Sequence, residues 1–217
     1  MKVGTDGVML GAWADILNVT TALDIGTGSG VIALMLAQRS NAIIDAVEID
    51  YDSANQAKEN IIHSPWNKRI RILHCPFQQF YRTCNTKYDL IVSNPPYFTR
   101  SLKSPSIIKS LVRHADELPN NDLIEGVVKL LHPNGRFCGV FPYSEGNVFI
   151  AQAANSGLYC NKKLNISSRP DKPVIRMLIE LSFAKIKTSD ESIIIHDELG
   201  DYSHQYRELT KDFYLAF

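Results

Sequence analysis

An apolar run at residues 88–92 leads into Ser93 and then into the sequence Asn94-Pro95-Pro96-Tyr97. Because proline neither continues a β-ladder nor enters a helix interior, the chain has to turn at this point. The turn presents an amide that both donates and accepts hydrogen bonds, a rigid backbone carbonyl and a flat ring. These groups are suited to holding a planar nitrogen group, so we interpret the turn as a candidate substrate site.

A second motif, with the sequence DIGTGSG at residues 24–30, joins a short apolar run to a predicted helix. Its glycines allow the backbone to approach a ligand closely. The spacing is GxGxG, not the GxGxxG of dinucleotide-binding proteins, and the Lys-Ser/Thr of a phosphate loop is absent. Asp24 would repel a pyrophosphate and would favour a cationic amino-acid ligand.

A carboxylate also ends the next predicted strand, at Glu48, where it can accept both hydroxyls of a ribose. Asp24 and Glu48 together favour a nucleoside ligand over a merely tight turn. Asn94, taken alone, is also compatible with a strand-terminating turn whose amide is satisfied. That alternative is less favoured, because Asp24, Glu48 and Asn94 all lie at the carboxyl ends of predicted parallel strands. These ends would border one crevice.

Hydrophobic periodicity predicts the helices and strands that position these residues. A helix is predicted near the amino terminus, capped by Thr5 or Asp6. Strands are predicted over 22–25, 43–48, 70–74, 88–93, 135–141, 158–166 and 174–183, and helices over 31–39, 51–63, 121–131 and 145–155. Tyr206, Leu209, Phe213 and Phe217 have the spacing of a terminal helix.

The alternation of strands and helices predicts an α/β fold, with a doubly wound, mostly parallel, Rossmann-like sheet. The last two strands follow one another without a helix and predict an antiparallel C-terminal hairpin. With 217 residues, of which 45% are hydrophobic, the chain can bury the core of a single domain spanning residues 1–217.

The formal net charge is zero, so bulk charge does not indicate nucleic-acid or membrane binding. The charge is unevenly distributed, however. Residues 98–114 contain four basic residues and no acid, whereas residues 188–217 contain seven acids and two basic residues. We interpret the acidic terminal segment as a solvated surface.

The four cysteines show neither CxxC spacing nor histidine partners at metal-ligand intervals. We therefore expect reduced thiols, no bound metal and a cytoplasmic location. We expect no membrane association either, because the sequence lacks both a membrane-spanning apolar stretch and a signal-peptide pattern.

Residues 24–30 followed by Glu48 resemble motifs I and II of class I S-adenosylmethionine-dependent methyltransferases. Asn94-Pro95-Pro96-Tyr97 resembles the (D/N/S)PP(Y/F) motif of enzymes that methylate amino groups conjugated to π systems. The opening sequence KVGTDGVMLGAW, at residues 2–13, is similar to that of the bacterial valine-tRNA adenine-N(6)-methyltransferases, and the likeness extends through residues 169–180. Nearly the whole chain resembles this family.

The resemblance implies a Rossmann-like methyltransferase that binds S-adenosylmethionine and releases S-adenosylhomocysteine. Asp24 would hold the methionine ammonium, Glu48 the ribose hydroxyls, and Ile49 would lie against the adenine of the cofactor. The cofactor-binding residues implied in this way are Thr5, Asp6, Gly7, Asp24, Gly26, Thr27, Gly28, Gly30, Glu48, Ile49, Phe77 and Asn94. For Asp6 a plain helix cap remains an equal alternative. Phe77 is included because Cys75-Pro76-Phe77 replaces the acid that many relatives carry after the third strand.

The resemblance also implies a catalytic group formed by Asn94, Pro95, Pro96 and Tyr97. The Asn94 side-chain oxygen and the Pro95 carbonyl would each accept one N–H of the exocyclic amine of a target adenine. This would turn the nitrogen lone pair toward the methyl group. Tyr97 would stack on the base.

The predicted partner is tRNA, and the predicted protein is a monomer. RNA-binding residues are expected in the basic segment and in the linker between the last two predicted strands, namely Phe98, Arg100, Lys103, Lys109, Arg113, Arg169 and Lys172. Lys162 and Lys163 are candidates to extend this surface. For these two lysines and for the linker residues, ordinary solvated charges are an equal alternative.

Relatives in this family carry an aromatic and basic segment before the position of Lys2, so we expect this chain to be a shortened form. A protein glutamine methyltransferase of the release-factor type is an alternative, because it shares Asn-Pro-Pro-Tyr. Such enzymes have an N-terminal helical domain that this sequence lacks. A non-catalytic, cofactor-binding RNA scaffold is a third hypothesis.

Overall fold

The computed structural model describes residues 4–95 and 118–215. Within these ranges the helices are α1 (Thr5–Trp13), α2 (Val31–Arg39), α3 (Tyr51–Ile62), α4 (Phe77–Thr83), α5 (Asn120–Leu130), α6 (Tyr143–Asn155) and α7 (His204–Thr210). The strands are β1 (Thr21–Ile25), β2 (Ile43–Glu48), β3 (Ile70–His74), β4 (Tyr88–Ser93), β5 (Leu131–Pro142), β6 (Tyr159–Ser167), β7 (Val174–Ser182) and β8 (Ser189–Ile194). A short 3₁₀ turn, Lys211–Phe213, follows α7.

The described strands form one sheet in the order β3-β2-β1-β4-β5-β7-β6-β8. Neighbours from β3 to β5 are parallel. The chain first moves outward from β1 to β3 and then returns to place β4 on the other side of β1. This reversal creates a crevice at the carboxyl ends of β1 and β4, the place where doubly wound sheets bind ligands.

The carboxyl-terminal half of the sheet is a hairpin with an extra strand. β7 pairs antiparallel with both β5 and β6. β6 therefore runs in the same direction as β5 and ends at the same edge of the sheet as β1 and β4. β8 adds outside β6 in parallel. The predicted α/β fold, with its mostly parallel sheet and antiparallel hairpin, is confirmed.

Two apolar layers cover the faces of the sheet. On one face α1 and α2 pack over a core that includes Met9, Leu36 and Leu178. On the other face α4, α5 and α6 enclose an aromatic core that includes Phe137 and Phe149. Both faces of the central strands are buried, which is why β1 and β4 read as continuous apolar runs.

One local prediction was wrong. The helix α1 is capped by the backbone of Gly4 without a side-chain hydrogen bond, so neither Thr5 nor Asp6 acts as a cap. The strand β8 was not predicted. It lies in the acidic terminal segment, where the acids are exposed except for the half-buried Asp197, while Ile193 is buried and pairs with Ile166.

The terminal helix is present in part, as α7, with Tyr206 buried against the first core. Phe213 lies in the 3₁₀ turn that follows α7, and Phe217 lies outside the described residues.

Candidate active site

The register of β1 and β4 places the two sequence motifs side by side. Ile25 and Ser93 are opposite one another as the last residues of their strands. The Ser93 hydroxyl also donates to the Ile25 carbonyl at 3.0 Å and is fully buried. Gly26 and Asn94 therefore leave the sheet next to each other, at the switch point.

The glycine loop is held in a left-handed backbone conformation that suits glycine. Gly26, Gly28 and Gly30 have φ angles of 70°, 57° and 83°. The N–H groups of Gly26 and Thr27 both donate to the Val47 carbonyl, at 2.9 and 3.1 Å. The loop is thus fixed to β2 before any ligand binds.

The glycines differ in what a side chain would meet. A Cβ on Gly26 would find no atom of residues 4–95 and 118–215 within 4 Å, whereas one on Gly30 would lie 3.4 Å from the Ala57 Cβ. Among these residues, Gly26 therefore borders space that a ligand can occupy. Gly30 permits α2 to begin close to α3.

Asp24 is completely buried below the loop. Its Oδ2 accepts from the Thr27 hydroxyl at 2.5 Å and from the Ala33 N–H at 3.2 Å, while Oδ1 is buried with no hydrogen-bond partner among the described residues. Burial raises the pKa of Asp24 to about 7; the two hydrogen bonds oppose this shift and the Glu48 charge adds to it. A buried carboxylate oxygen without a hydrogen-bond partner is energetically costly, and the ammonium group of a ligand would supply that partner.

Glu48 is fixed by the backbone on both of its oxygens. Oε2 accepts from the Gly28 N–H at 2.8 Å and Oε1 from the Asp50 N–H at 2.9 Å. Because each carboxylate oxygen can accept more than one hydrogen bond, both retain capacity for a hydroxyl donor. The side chain is thus oriented in advance for a diol.

Ile49 extends the site beyond Glu48. It is 39% exposed, unusual for a large apolar side chain, and so offers a flat apolar contact next to the carboxylate. The His74 ring contacts the Ile49 carbonyl at 3.1 Å and packs edge-on against Tyr51. These contacts fix the backbone that presents Ile49.

Phe77 lies at the start of α4, after β3. Its ring is 5% exposed and packs against Tyr81 at 5.3 Å between ring centroids. A Cβ on Gly126 of α5 would clash with the same ring. The ring belongs to the core between the two helices, so the predicted cofactor contact of Phe77 stays a prediction, and the structure brings it no support.

Asn94 and Pro95 are half-buried at the end of β4. A Cβ on Gly7 would lie 3.7 Å from the Asn94 Nδ2. The amino-terminal half of α1 therefore covers the amide, and the structure brings Gly7 and Asn94 together, as predicted for a common site. Thr5 begins this helix, and the Asp6 carboxylate forms an ion pair with Arg176 at 3.1 Å.

Several predicted site residues lie outside the described ranges. These are Pro96, Tyr97, Phe98, Arg100, Lys103, Lys109 and Arg113. Their assigned roles in catalysis and RNA binding stay predictions.

Arg169 and Lys172 are exposed in the connection between β6 and β7. Since β6 runs parallel to β4, this connection lies at the carboxyl edge of the sheet, as the active site does. Lys162 and Lys163 lie near the middle of β6, where they form ion pairs with Glu180 and Asp190. Lys172 is also ion-paired, with Asp171 at 3.2 Å. The extension of the basic surface through Lys162 and Lys163 stays a prediction.

Sequence reasoning missed several residues that support the site. Asn60 donates to the Ser29 carbonyl at 2.9 Å and so ties the glycine loop to α3. Ser93 and Arg176 make the contacts described above. Asn60 and Arg176 are polar residues whose partners lie far away in sequence, so no local pattern identifies them.

Comparison with known proteins decides the family. The methyltransferase small domain family matches residues 12–140. A Bacteroides fragilis protein named tRNA1(Val) (adenine(37)-N6)-methyltransferase is 45% identical over 216 residues, which cover 99% of this chain and 91% of that protein. The chain belongs to the methyltransferase small domain family and, within it, to the family of this relative. The resemblance in its motifs is thereby confirmed.

Solved methyltransferases share the fold of this family member. A predicted O-methyltransferase from Agrobacterium tumefaciens superposes with a TM-score of 0.72 at 19% identity, covering 95% of this chain and 96% of that chain. The glycopeptide N-methyltransferase MtfA, solved in complex with S-adenosylmethionine, gives a TM-score of 0.61 at 11% identity, covering 84% of this chain and all of that chain. At these identities the likeness supports the Rossmann-like fold.

Proposed function

We propose that this protein transfers a methyl group from S-adenosylmethionine to the exocyclic N6 amine of an adenine in the anticodon loop of a valine tRNA. The observation that carries the proposal is the placement of Asn94-Pro95 beside the glycine loop at the switch point. The full-length similarity to a tRNA1(Val) (adenine(37)-N6)-methyltransferase supports the same substrate.

The residues around the loop fit the cofactor. The unpaired, buried Oδ1 of Asp24 would accept from its ammonium group, and the open space at Gly26 would admit its backbone. Glu48 would accept from the ribose hydroxyls and Ile49 would contact the adenine. When bound, S-adenosylmethionine supplies an electrophilic methyl group on a sulfonium.

Asn94 and Pro95 would activate the acceptor. The lone pair of the exocyclic nitrogen is delocalised into the adenine ring, which makes the nitrogen a weak nucleophile. The side-chain oxygen of Asn94 and the carbonyl of Pro95 would each accept one N–H, which localises electron density on nitrogen and aims it at the methyl group. Alignment and preorganised acceptors would supply most of the rate enhancement. No strong base is required, because the proton can leave after transfer.

The target base has to leave its stack to reach these acceptors, and an anticodon loop makes this easiest. Tyr97 would stack on the base, a contact worth about 1–3 kcal/mol in single-stranded complexes. The RNA backbone would follow the basic segment beyond Phe98. Arg169 and Lys172 would contact phosphates at the same edge of the sheet.

We further infer that the protein acts in the cytoplasm as a single-domain monomer without a metal. The four cysteines are free, as in a reducing compartment. Within residues 4–95 and 118–215, no helix has the length and apolar character needed to cross a membrane.

Methyl transfer from isotopically labelled S-adenosylmethionine tests the proposal. The protein is incubated with unmodified total tRNA or with a release factor, and label is measured in each. We expect label in tRNA alone. Label in the release factor alone would support a glutamine methyltransferase, and label in neither would support a cofactor-binding scaffold.

A further inference from the structure

Two matched ion pairs attach the region of α1 to the sheet, one at each edge. At the carboxyl edge, Arg176 of β7 contacts Asp6 at 3.1 Å. At the opposite edge, Arg136 of β5, which pairs with Leu90 near the start of β4, contacts Asp15, two residues beyond α1, at 3.0 Å. Both pairs are partly exposed and both join an arginine on a strand to an aspartate beside the helix.

The two ion pairs lie next to different parts of α1. Asp15 lies where α1 ends, where Arg39 also donates to the Gly11 and Ala14 carbonyls. Asp6 lies in the first turn of α1, one residue before the glycine that faces the Asn94 amide. Among the described residues no side chain caps the amino-terminal turn, and the ion pair of Asp6 with Arg176 ties this turn to β7.

The charge of the Asp6 side chain in the first turn of α1 also affects how this turn interacts with an anionic ligand group. An acidic side chain at a helix amino terminus offsets the positive end of the helix dipole. The Asp6 carboxylate would therefore weaken the attraction of this turn for the carboxylate of an amino-acid ligand. The Arg176 guanidinium compensates the Asp6 charge. It also links the Asp6 side chain, next to Gly7, to β7.

We propose that Arg176 is a positioning residue for cofactor binding: by pairing with Asp6, it holds the amino-terminal turn of α1 over Asn94 and keeps that turn attractive to the amino-acid end of S-adenosylmethionine. This inference rests on the proposed function. It assigns a role to a residue of β7 that lies outside the cofactor motifs.

Calorimetric titration of S-adenosylmethionine into the full chain, without tRNA, tests the inference. Arg176→Gln should weaken cofactor binding by at least about fivefold. The substitution removes the ion pair that ties the first turn of α1 to β7, and it leaves the negative charge of Asp6 uncompensated. The double variant Asp6→Asn/Arg176→Gln should recover part of this loss, because the uncompensated carboxylate is gone. Arg136→Gln is the matched control and should stay within about twofold of the wild type.

Urea unfolding and tRNA kinetics separate positioning from a merely structural role. Arg176→Gln should unfold no earlier than Arg136→Gln, and its KM for tRNA should match that of the wild type. The inference is overturned if Arg176→Gln binds cofactor like the wild type, or if Arg136→Gln loses as much affinity. Failure of the wild type to methylate tRNA would instead overturn the proposed function, since the titration contains no RNA.

Discussion

At the residue scale, the site depends on polar side chains that the backbone has already oriented. Glu48 is held by two N–H groups, and Ser93 ties the end of β4 to β1. Preorganised groups of this kind lower a barrier because they need not reorient as charge moves. Asn94 follows directly from this fixed strand end, so we expect its loss to affect chemistry more than binding.

Asn94→Ala should abolish measurable methyl transfer, or lower kcat by about 10²–10³-fold, since it removes one of two acceptors for the amine. Cofactor affinity measured by calorimetry should fall far less than the rate, even though Asn94 is also among the implied cofactor-binding residues. Asn147→Ala, an exposed position on α6, is the control and should retain full activity. A fall in cofactor affinity equal to the fall in rate would contradict the acceptor role.

Asp24 should make stability depend on pH. Its pKa is about 7 in the folded protein, against an ordinary value of 3.8, so the folded state holds a proton that the unfolded state has lost. The free energy of unfolding without ligand should therefore fall as pH rises from about 4 to about 7, and this contribution should level off above that.

Urea titrations at several pH values measure this dependence. Asp24→Asn should flatten the slope because nothing titrates at the position. Asp52→Asn, on the exposed surface of α3, should leave it as in the wild type. An unchanged slope in Asp24→Asn would show that another group is responsible.

Much of the site was predictable at this scale, because its motifs are local. The glycine loop, Glu48 and Asn94 each follow an apolar run, and each is recognisable within a few residues. Arg176 was not predictable, since its partner Asp6 lies 170 positions away in sequence. Phe77 was placed near the cofactor because Cys75-Pro76-Phe77 stands where many relatives carry an acid after the third strand. Its ring is buried in the core, and the contact with the cofactor stays a prediction.

At the scale of elements, the helices and strands that position the site follow from clear patterns. β1 to β4 are apolar runs bounded by turns, and their order follows from the alternation with helices. β8 escaped prediction because four of its six residues are polar or charged and exposed. Its stability comes from backbone pairing with β6 and from burial of Ile193, which short-range patterns do not reveal.

The contact between α4 and α5 gives a test at this scale. Gly126→Ala should lower the free energy of unfolding by about 1–3 kcal/mol, because the added methyl clashes with the buried Phe77 ring. Asn121→Ala, an exposed position on the same helix, should be neutral or slightly stabilising through helix propensity. Equal stability of Gly126→Ala and the wild type would show that the two helices pack more loosely than described.

At the scale of the whole molecule, a chain of zero net charge has to bind RNA through local charge. Exposed basic residues lie at both edges of the sheet. Arg169 and Lys172 lie at the carboxyl edge, with the site, while Lys68 precedes β3 at the amino edge. Association with tRNA should therefore depend on the first group and not on the second.

Lys172→Gln should weaken tRNA binding and reduce the slope of log K against log salt by about 1, as expected for loss of one phosphate contact. Lys68→Gln, an exposed lysine at the opposite edge, is the control and should keep the wild-type slope. Equal slopes for the two variants would remove the β6–β7 connection from the RNA-binding surface.

The proposed function requires the glycine loop to bind the methyl donor while Asn94-Pro95 holds the acceptor, so that the protein methylates one adenine of a valine tRNA. Nucleoside mass spectrometry of an unmodified tRNA1(Val) transcript, after incubation with the protein and S-adenosylmethionine, tests it most directly. We predict N6-methyladenosine in this transcript and none in a transcript with guanine in place of adenine 37. Absence of methylation in both transcripts, equal methylation of both, or a methyl group on another atom would contradict the claim.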